Sequence, residues 1–92
     1  MPRSLVRYRV VVTGRVQGVW FRDSCRQEAQ ARGVSGWVAN RSDGSVEAVF
    51  EGDERAVAQC VSWCRQGPPR AVVTGIDVSE EAPAGDVGFR IR

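Results

Sequence analysis

The spacing of apolar residues changes along this chain, and the order of those changes constrains the fold more than any other feature. Residues 5–13 place four side chains on one face at alternate positions, which predicts a strand. These side chains are Val6, Tyr8, Val10 and Val12. From about residue 22 to 32 the apolar residues recur in steps of four, which predicts a helix, and Gly33 lies where that helix would end.

Two short strands are predicted next, over residues 36–40 and 45–51. Asp43-Gly44 lies between them, and this pair readily adopts the positive φ angles that a hairpin connection requires. The second of these strands alternates apolar residues with two glutamates, Glu47 and Glu51. We therefore expect these two carboxylates to lie on a solvated face of the sheet.

The second half of the chain repeats the change from helical to strand spacing. Asp53 is a suitable N-cap for a helix over residues 54–66, which Gly67-Pro68-Pro69 would end. Residues 71–78 predict a fourth strand, in which Gly75 marks a bulge. A short last strand is predicted where apolar residues alternate with arginines, at Val87, Phe89 and Ile91.

The resulting order, β-α-β-β-α-β plus a short terminal strand, predicts an α+β fold of the ferredoxin-like class. In that arrangement an antiparallel sheet carries both helices on one face. The 92 residues suffice for one core but not for two, so we expect residues 1–92 to form a single domain. The apolar runs are too short to span a bilayer and the N-terminus lacks an apolar signal segment, so we expect a cytoplasmic protein with no membrane partner.

The composition excludes several kinds of chemistry. All 13 basic residues are arginines, so a histidine general base, a Schiff-base lysine and a P-loop lysine are ruled out. The net charge of +2 is too weak to indicate nucleic acid as a partner, because the 13 arginines are interleaved with 11 acidic residues, and we expect none. Cys25, Cys60 and Cys64 could be zinc ligands or buried thiols, and the absence of histidine favours buried, reduced thiols. We accordingly expect no zinc site at these cysteines.

The segment TGRVQGVWFR, residues 13–22, joins the first strand to the first helix. Gly14 and Gly18 could merely allow the chain to turn. Alternatively, a glycine-rich loop before a helix N-terminus directs N–H groups and the positive end of the helix dipole toward an anion. Arg22 favours the second interpretation, because a cation at a helix N-terminus is unfavourable unless an anion accompanies it.

These residues carry a family resemblance. Residues 14–22, GRVQGVWFR, resemble the signature loop of the acylphosphatases, and the resemblance continues through GWVAN at 36–40, DGSVE at 43–47 and GPP at 67–69. It extends over essentially the whole chain. The resemblance implies that Arg22 binds phosphate, that Asn40 holds the attacking water, and that main-chain N–H groups wrap the phosphate. The residues that would provide these groups are Arg15, Val16, Gln17, Gly18, Val19 and Trp20.

The implied reaction is the hydrolysis of an acyl phosphate to a carboxylate and inorganic phosphate without metal or cofactor. The leaving carboxylate is the anion of an acid with a pKa of about 4, so it departs without protonation and no histidine acid is needed. Asparagine cannot accept a proton, and we expect an oxygen of the substrate's own phosphate to do so. We further expect a monomer in which inorganic phosphate, the product, acts as a competitive inhibitor.

Two other functional classes share this order of elements. An RNA recognition motif would need exposed aromatic and basic residues on its central strands, whereas this chain has Glu47 and Glu51 there. A non-catalytic anion-binding domain, like the acylphosphatase-like segment of some hydrogenase-maturation proteins, is the second alternative. The large aromatic side chains are expected to belong to the core rather than to bind a ligand; they are Trp37, Phe50 and Trp63.

Overall fold

Five strands and two helices follow one another in the predicted order, and the α+β, ferredoxin-like fold class is confirmed. The computed structural model describes residues 5–92, so the first four residues of the expected domain lie outside the described residues. The elements are β1 (Leu5–Arg15), α1 (Phe21–Ala31), β2 (Ser35–Asn40), β3 (Val46–Asp53), α2 (Glu54–Cys64), β4 (Val72–Glu81) and β5 (Phe89–Ile91).

The strands form one sheet in the order β4-β1-β3-β2-β5. The pairs β1–β3, β1–β4 and β2–β3 are antiparallel, as predicted, but β5 pairs with β2 in parallel. The expected antiparallel sheet therefore comprises β1 to β4, and the terminal strand, for which no direction was predicted, extends it by a parallel pair. The reason is topological: segment 82–88 crosses from the β4 edge to the opposite edge, and β5 enters at the end of the sheet where β2 begins.

The core lies between the helices and one face of the sheet. Its largest fully buried side chains include Phe21 from α1 and Phe50 from β3, and Phe50 stacks on Phe89 of β5 with the ring centroids 5.6 Å apart. Trp63 of α2 packs against Phe21, with the two ring centroids 5.2 Å apart. Trp37 and Trp63 are both only partly buried, but Trp63 packs against the core, whereas Trp37 does not belong to it and has the Arg92 guanidinium 4.4 Å from its ring centroid.

The three cysteines are free and buried, which confirms the prediction of core-facing thiols. Burial raises the pKa of Cys25 well above its ordinary value and raises the pKa of Cys60 to about 12. Both side chains are therefore protonated at neutral pH and act as small apolar groups of the helix faces.

The sheet face opposite the helices carries a buried carboxylate. Glu51 accepts hydrogen bonds from Arg7 Nη1 at 2.8 Å and from the N–H groups of Ala84 and Gly85 at 2.9 and 2.8 Å. Arg7 Nη1 also donates to Asp86 at 2.8 Å. The expected solvated face is thus wrong for Glu51, which is 6% exposed because segment 82–88 lies over it.

The other glutamate of this face differs from Glu51 in its surroundings. Glu47 is of intermediate exposure and forms an ion pair with Arg9 on the neighbouring strand β1. Charged pairs across adjacent strands are a usual way of stabilising a sheet face that retains contact with water. The expectation of solvation therefore holds in part for Glu47.

Glu51 should make the stability of the protein dependent on pH. Burial alone would raise its pKa, but the Ala84 and Gly85 N–H groups and the Arg7 guanidinium outweigh burial and lower the pKa below its ordinary value. A carboxylate with a lowered folded-state pKa stabilises the protein above its unfolded-state pKa, and this contribution disappears as the pH falls.

We expect Glu51→Gln to lower the free energy of unfolding by about 1–3 kcal/mol at pH 7, and the difference from wild type to shrink as the pH falls below about 4. Urea unfolding between pH 7 and pH 3 measures both quantities. Glu80→Gln, at an exposed position of β4, is the matched control and should unfold like the wild type. A stability difference that stays constant over this range would contradict the assignment.

Candidate active site

A cavity of about 470 Å³ opens where the loop after β1 meets the start of α1 and the end of β2. Its lining residues come from these three segments and from β5. They are Val16, Gly18, Trp20, Phe21, Arg22, Asp23, Asn40 and Ile91.

Arg22 and Asn40, the two predicted catalytic residues, both line this cavity. Arg22 is in the first turn of α1 and Asn40 is the last residue of β2, so the packing of α1 against the sheet brings them to one place. Both side chains are exposed. Within residues 5–92, neither forms an ion pair or a side-chain hydrogen bond, so their polar groups remain available to a ligand.

The N-terminus of α1 is left without a side-chain cap. The N-cap residue is Trp20, which has φ 66° and makes no capping hydrogen bond. The first helical bond runs from the Ser24 N–H to the Trp20 carbonyl at 3.0 Å, so the N–H groups before Ser24 have no helical acceptor. The N–H groups of residues 17–20 likewise donate to no acceptor in the described part of the chain. The loop and helix start therefore concentrate unused donors and positive potential beside the cavity.

Gly14 and Gly18 are glycines for different structural reasons. A Cβ on Gly14 would lie 2.2 Å from the Val72 carbonyl oxygen, so this glycine permits the close approach of β4. Gly18 has φ +73° and open space around it, so it supplies backbone conformation alone. The turn interpretation thus does not apply to Gly14, which lies within β1, and it accounts only for the backbone conformation of Gly18, which also lines the cavity.

Gln17 ties the loop to the turn that follows Asn40. Its Nε2 donates to the carbonyl oxygens of Arg41 at 2.8 Å and Ser45 at 2.9 Å. Asp43 braces the same turn by accepting hydrogen bonds from the Ser45 hydroxyl and N–H, and these bonds lower the pKa of its carboxyl. The sequence carried no signal for this tether, because both acceptors are main-chain atoms distant in sequence.

Five of the eight predicted site residues line the cavity and three do not. Arg15, Gln17 and Val19 do not line it. Arg15 belongs to β1 and pairs with Val72 of β4. The register between these strands shifts between Thr13, which pairs with Gly75, and Gly14, so the irregularity lies directly beside Gly75. Val19 points into the core and is 4% exposed.

Three cavity residues were absent from the predicted site, namely Phe21, Asp23 and Ile91. Phe21 and Asp23 are the first and third residues of α1, so the helix start that brings Arg22 to the cavity brings them there as well. Ile91 belongs to β5, which reaches the cavity only because it pairs with β2 at the edge of the sheet.

The described part of the chain has neither a metal-binding cluster nor a membrane-spanning helix. No group of three histidine, cysteine, aspartate or glutamate side chains within residues 5–92 could hold a metal ion. Neither helix of that region has the length and apolar character needed to cross a membrane.

Comparison with known proteins identifies the family. The acylphosphatase family model matches residues 8–91. An acylphosphatase of Rubrobacter xylanophilus is 56% identical over 91 residues, covering 98% of this chain and 83% of the relative. The crystal structure of acylphosphatase from Bacillus subtilis, 43% identical, superposes with a TM-score of 0.91 over 95% of this chain and 98% of that one. The T. kodakarensis HypF structure, 29% identical, matches with a TM-score of 0.83 over 95% of this chain but 12% of its own. This chain therefore belongs to the acylphosphatase family, whose members hydrolyse acyl phosphates.

Proposed function

We propose that hydrolysis proceeds by in-line attack of a water molecule that Asn40 orients, on a phosphoryl group held by Arg22 and the main-chain N–H groups of residues 15–20. The observation that carries this proposal is the meeting of Arg22 and Asn40 at one cavity beside an uncapped helix N-terminus. Phosphoryl transfer depends mainly on positioning and on the stabilisation of spread negative charge, which these groups can supply.

The charges around Arg22 support its role as the phosphate ligand. A guanidinium in the first turn of a helix is repelled by the helix dipole, and a bound anion removes this penalty. The adjacent carboxylate, Asp23, accepts a hydrogen bond from Arg26 Nη2 at 3.0 Å. Arg22 therefore keeps its planar donor fork for phosphoryl oxygens, a geometry that suits guanidinium better than ammonium.

The reaction can be balanced without an acid or base from the protein. The water oxygen forms a bond to phosphorus while the bond from phosphorus to the acyl oxygen breaks, and the carboxylate departs with the electron pair. The proton released by the water moves to an oxygen of the phosphate. Asn40 contributes only hydrogen bonds, which hold the water opposite the leaving oxygen.

The same groups that hold the substrate's phosphoryl group should bind inorganic phosphate, so we propose that the product is a competitive inhibitor. We also propose that residues 1–92 form one domain that acts as a monomer in the cytoplasm, where the three free thiols remain reduced. An RNA-binding role has less support, because segment 82–88 and its contacts with Glu51 occupy part of the sheet face that would bind bases.

Replacement of Arg22 tests the phosphate site. Arg22→Ala should lower kcat/KM for benzoyl phosphate by about 10²–10³, and Arg22→Lys should restore only part of the loss because lysine lacks the fork. Arg55→Ala is the matched control, since Arg55 occupies the same position in α2 as Arg22 in α1. Near-normal kcat/KM in a folded Arg22→Ala protein would contradict the proposal.

Replacement of Asn40 separates water positioning from a structural role. Asn40→Ala should lose most of its kcat while the inhibition constant for phosphate changes little, because Arg22 and the loop still bind phosphate. If Asn40 had only a structural role, kcat would stay intact and the free energy of unfolding would change by less than about 0.5 kcal/mol, because this exposed side chain makes no hydrogen bond within residues 5–92. Ser42→Ala, in the exposed turn nearby, serves as the control. An unchanged kcat, or a phosphate affinity that falls together with the rate, would remove Asn40 from this role.

The hydrogen bonds from Gln17 to the Arg41 and Ser45 carbonyl oxygens should affect both stability and activity. Gln17→Met preserves the length of the side chain but removes the donor, so it should lower the free energy of unfolding by about 1 kcal/mol and also lower kcat/KM. Gln27→Met is the control, because Gln27 Nε2 makes only a 3.4 Å contact with Asp23 on an exposed helix face. Equal effects of the two substitutions on stability and rate would show that the tether does not position the loop.

A further inference from the structure

Trp20 is held in a conformation and an environment that its packing does not explain. Its side chain is 73% exposed, the most exposed aromatic surface at the cavity. It is also the only residue other than glycine with a positive φ in the described chain. A bulky residue in the left-handed region costs of order 1 kcal/mol or more, and such strain is found where function requires it.

The N-cap position offers no structural reason for this tryptophan. Serine, threonine, aspartate and asparagine cap helices with a side-chain acceptor, whereas the indole has only a donor. Trp20 accordingly makes no capping hydrogen bond. What the position does provide is an indole beside the donors assigned to the phosphoryl group.

The cavity has room for more than a phosphoryl group. Its volume of about 470 Å³ lies within the range of roughly 300–1,000 Å³ typical of small-molecule sites. Val16 and Phe21 are 1% and 2% exposed, so they offer almost no accessible surface. Trp20 and the partly exposed Ile91 are therefore the apolar side chains that a bound molecule can contact.

The charges of the cavity limit the nature of the acyl group. Among the described residues, Arg22 is the only cationic side chain that lines the cavity, and the proposed mechanism uses it for the phosphoryl oxygens. Asp23 adds a carboxylate to the same lining. A free carboxylate on the acyl group, as in succinyl phosphate, would lack a cationic partner and would face Asp23, which disfavours binding.

We propose that Trp20 and Ile91 form a subsite for the acyl group, and that this enzyme prefers acyl phosphates with an uncharged, apolar and preferably aromatic acyl moiety. This inference rests on the proposed function, because the phosphoryl group must occupy Arg22 and the loop for the acyl group to reach Trp20. Ring contacts of this kind discriminate by burying apolar area and by aromatic packing.

The test compares kcat/KM for benzoyl, acetyl and succinyl phosphate in the wild type and in variants of Trp20. The wild type should prefer benzoyl phosphate to both others. Trp20→Ala should lower the benzoyl-to-acetyl ratio by roughly three- to tenfold, the size expected for one aromatic contact, and Trp20→Phe should retain most of it. The ratio separates the acyl contact from any general disturbance of the loop.

Two further variants complete the design. Trp20→Asn suits the positive φ and replaces Trp20→Ala if that protein does not fold, and the same fall in the ratio is expected. Val87→Ala removes a 90% exposed apolar side chain outside the cavity and should leave the ratio unchanged. A ratio that does not change in the Trp20 variants, or a wild-type preference for succinyl phosphate, would overturn the subsite. Failure of the wild type to hydrolyse any of the three would instead overturn the proposed function, and the subsite with it.

Discussion

The rest of the architecture depends on the hydrogen bonds that the buried carboxylate of Glu51 accepts. This carboxylate lies on the sheet face away from the helices, where it joins Arg7 of β1 to the N–H groups of Ala84 and Gly85 in the crossing segment. An ionised group can be buried there because each contact supplies a donor to the carboxylate. The crossing segment anchored in this way leads to β5, whose Ile91 closes one side of the active-site cavity.

The active site departs from the local rules that the rest of the chain follows. The first helix begins with a tryptophan in the left-handed region, has no side-chain cap, and carries Arg22 in its first turn. Each of these choices lowers stability when considered alone. Their concentration in one loop is understandable if the free donors, the guanidinium and the exposed ring serve a ligand rather than the fold.

The chemistry assigned to this site also explains why the chain manages without histidine or lysine. Acyl phosphates carry a leaving group that needs no proton, so the protein has to bind, orient and stabilise charge rather than transfer protons. Permanent charges and dipoles perform these tasks over a wide pH range, because arginine and main-chain N–H groups do not titrate near neutrality. The three buried thiols belong to the core.

The sequence by itself determined the order of the strands and helices, which of their faces are apolar, and which residues form the loop before α1. These features can be predicted because the spacing of apolar residues, the position of glycines and a charge at a helix start are local properties. Arg22 was predicted from its charge at a helix start and from the resemblance, and Asn40 from the resemblance alone. Only the tertiary structure places them at one cavity. It also decided what depends on contacts between distant segments: the parallel pairing of β5, the burial of Glu51, the Gln17 tether and the apolar wall of Trp20 with Ile91. The glutamate pattern of β3 predicted a solvated face because alternation distinguishes two faces of a strand but does not reveal which later segment will cover one of them.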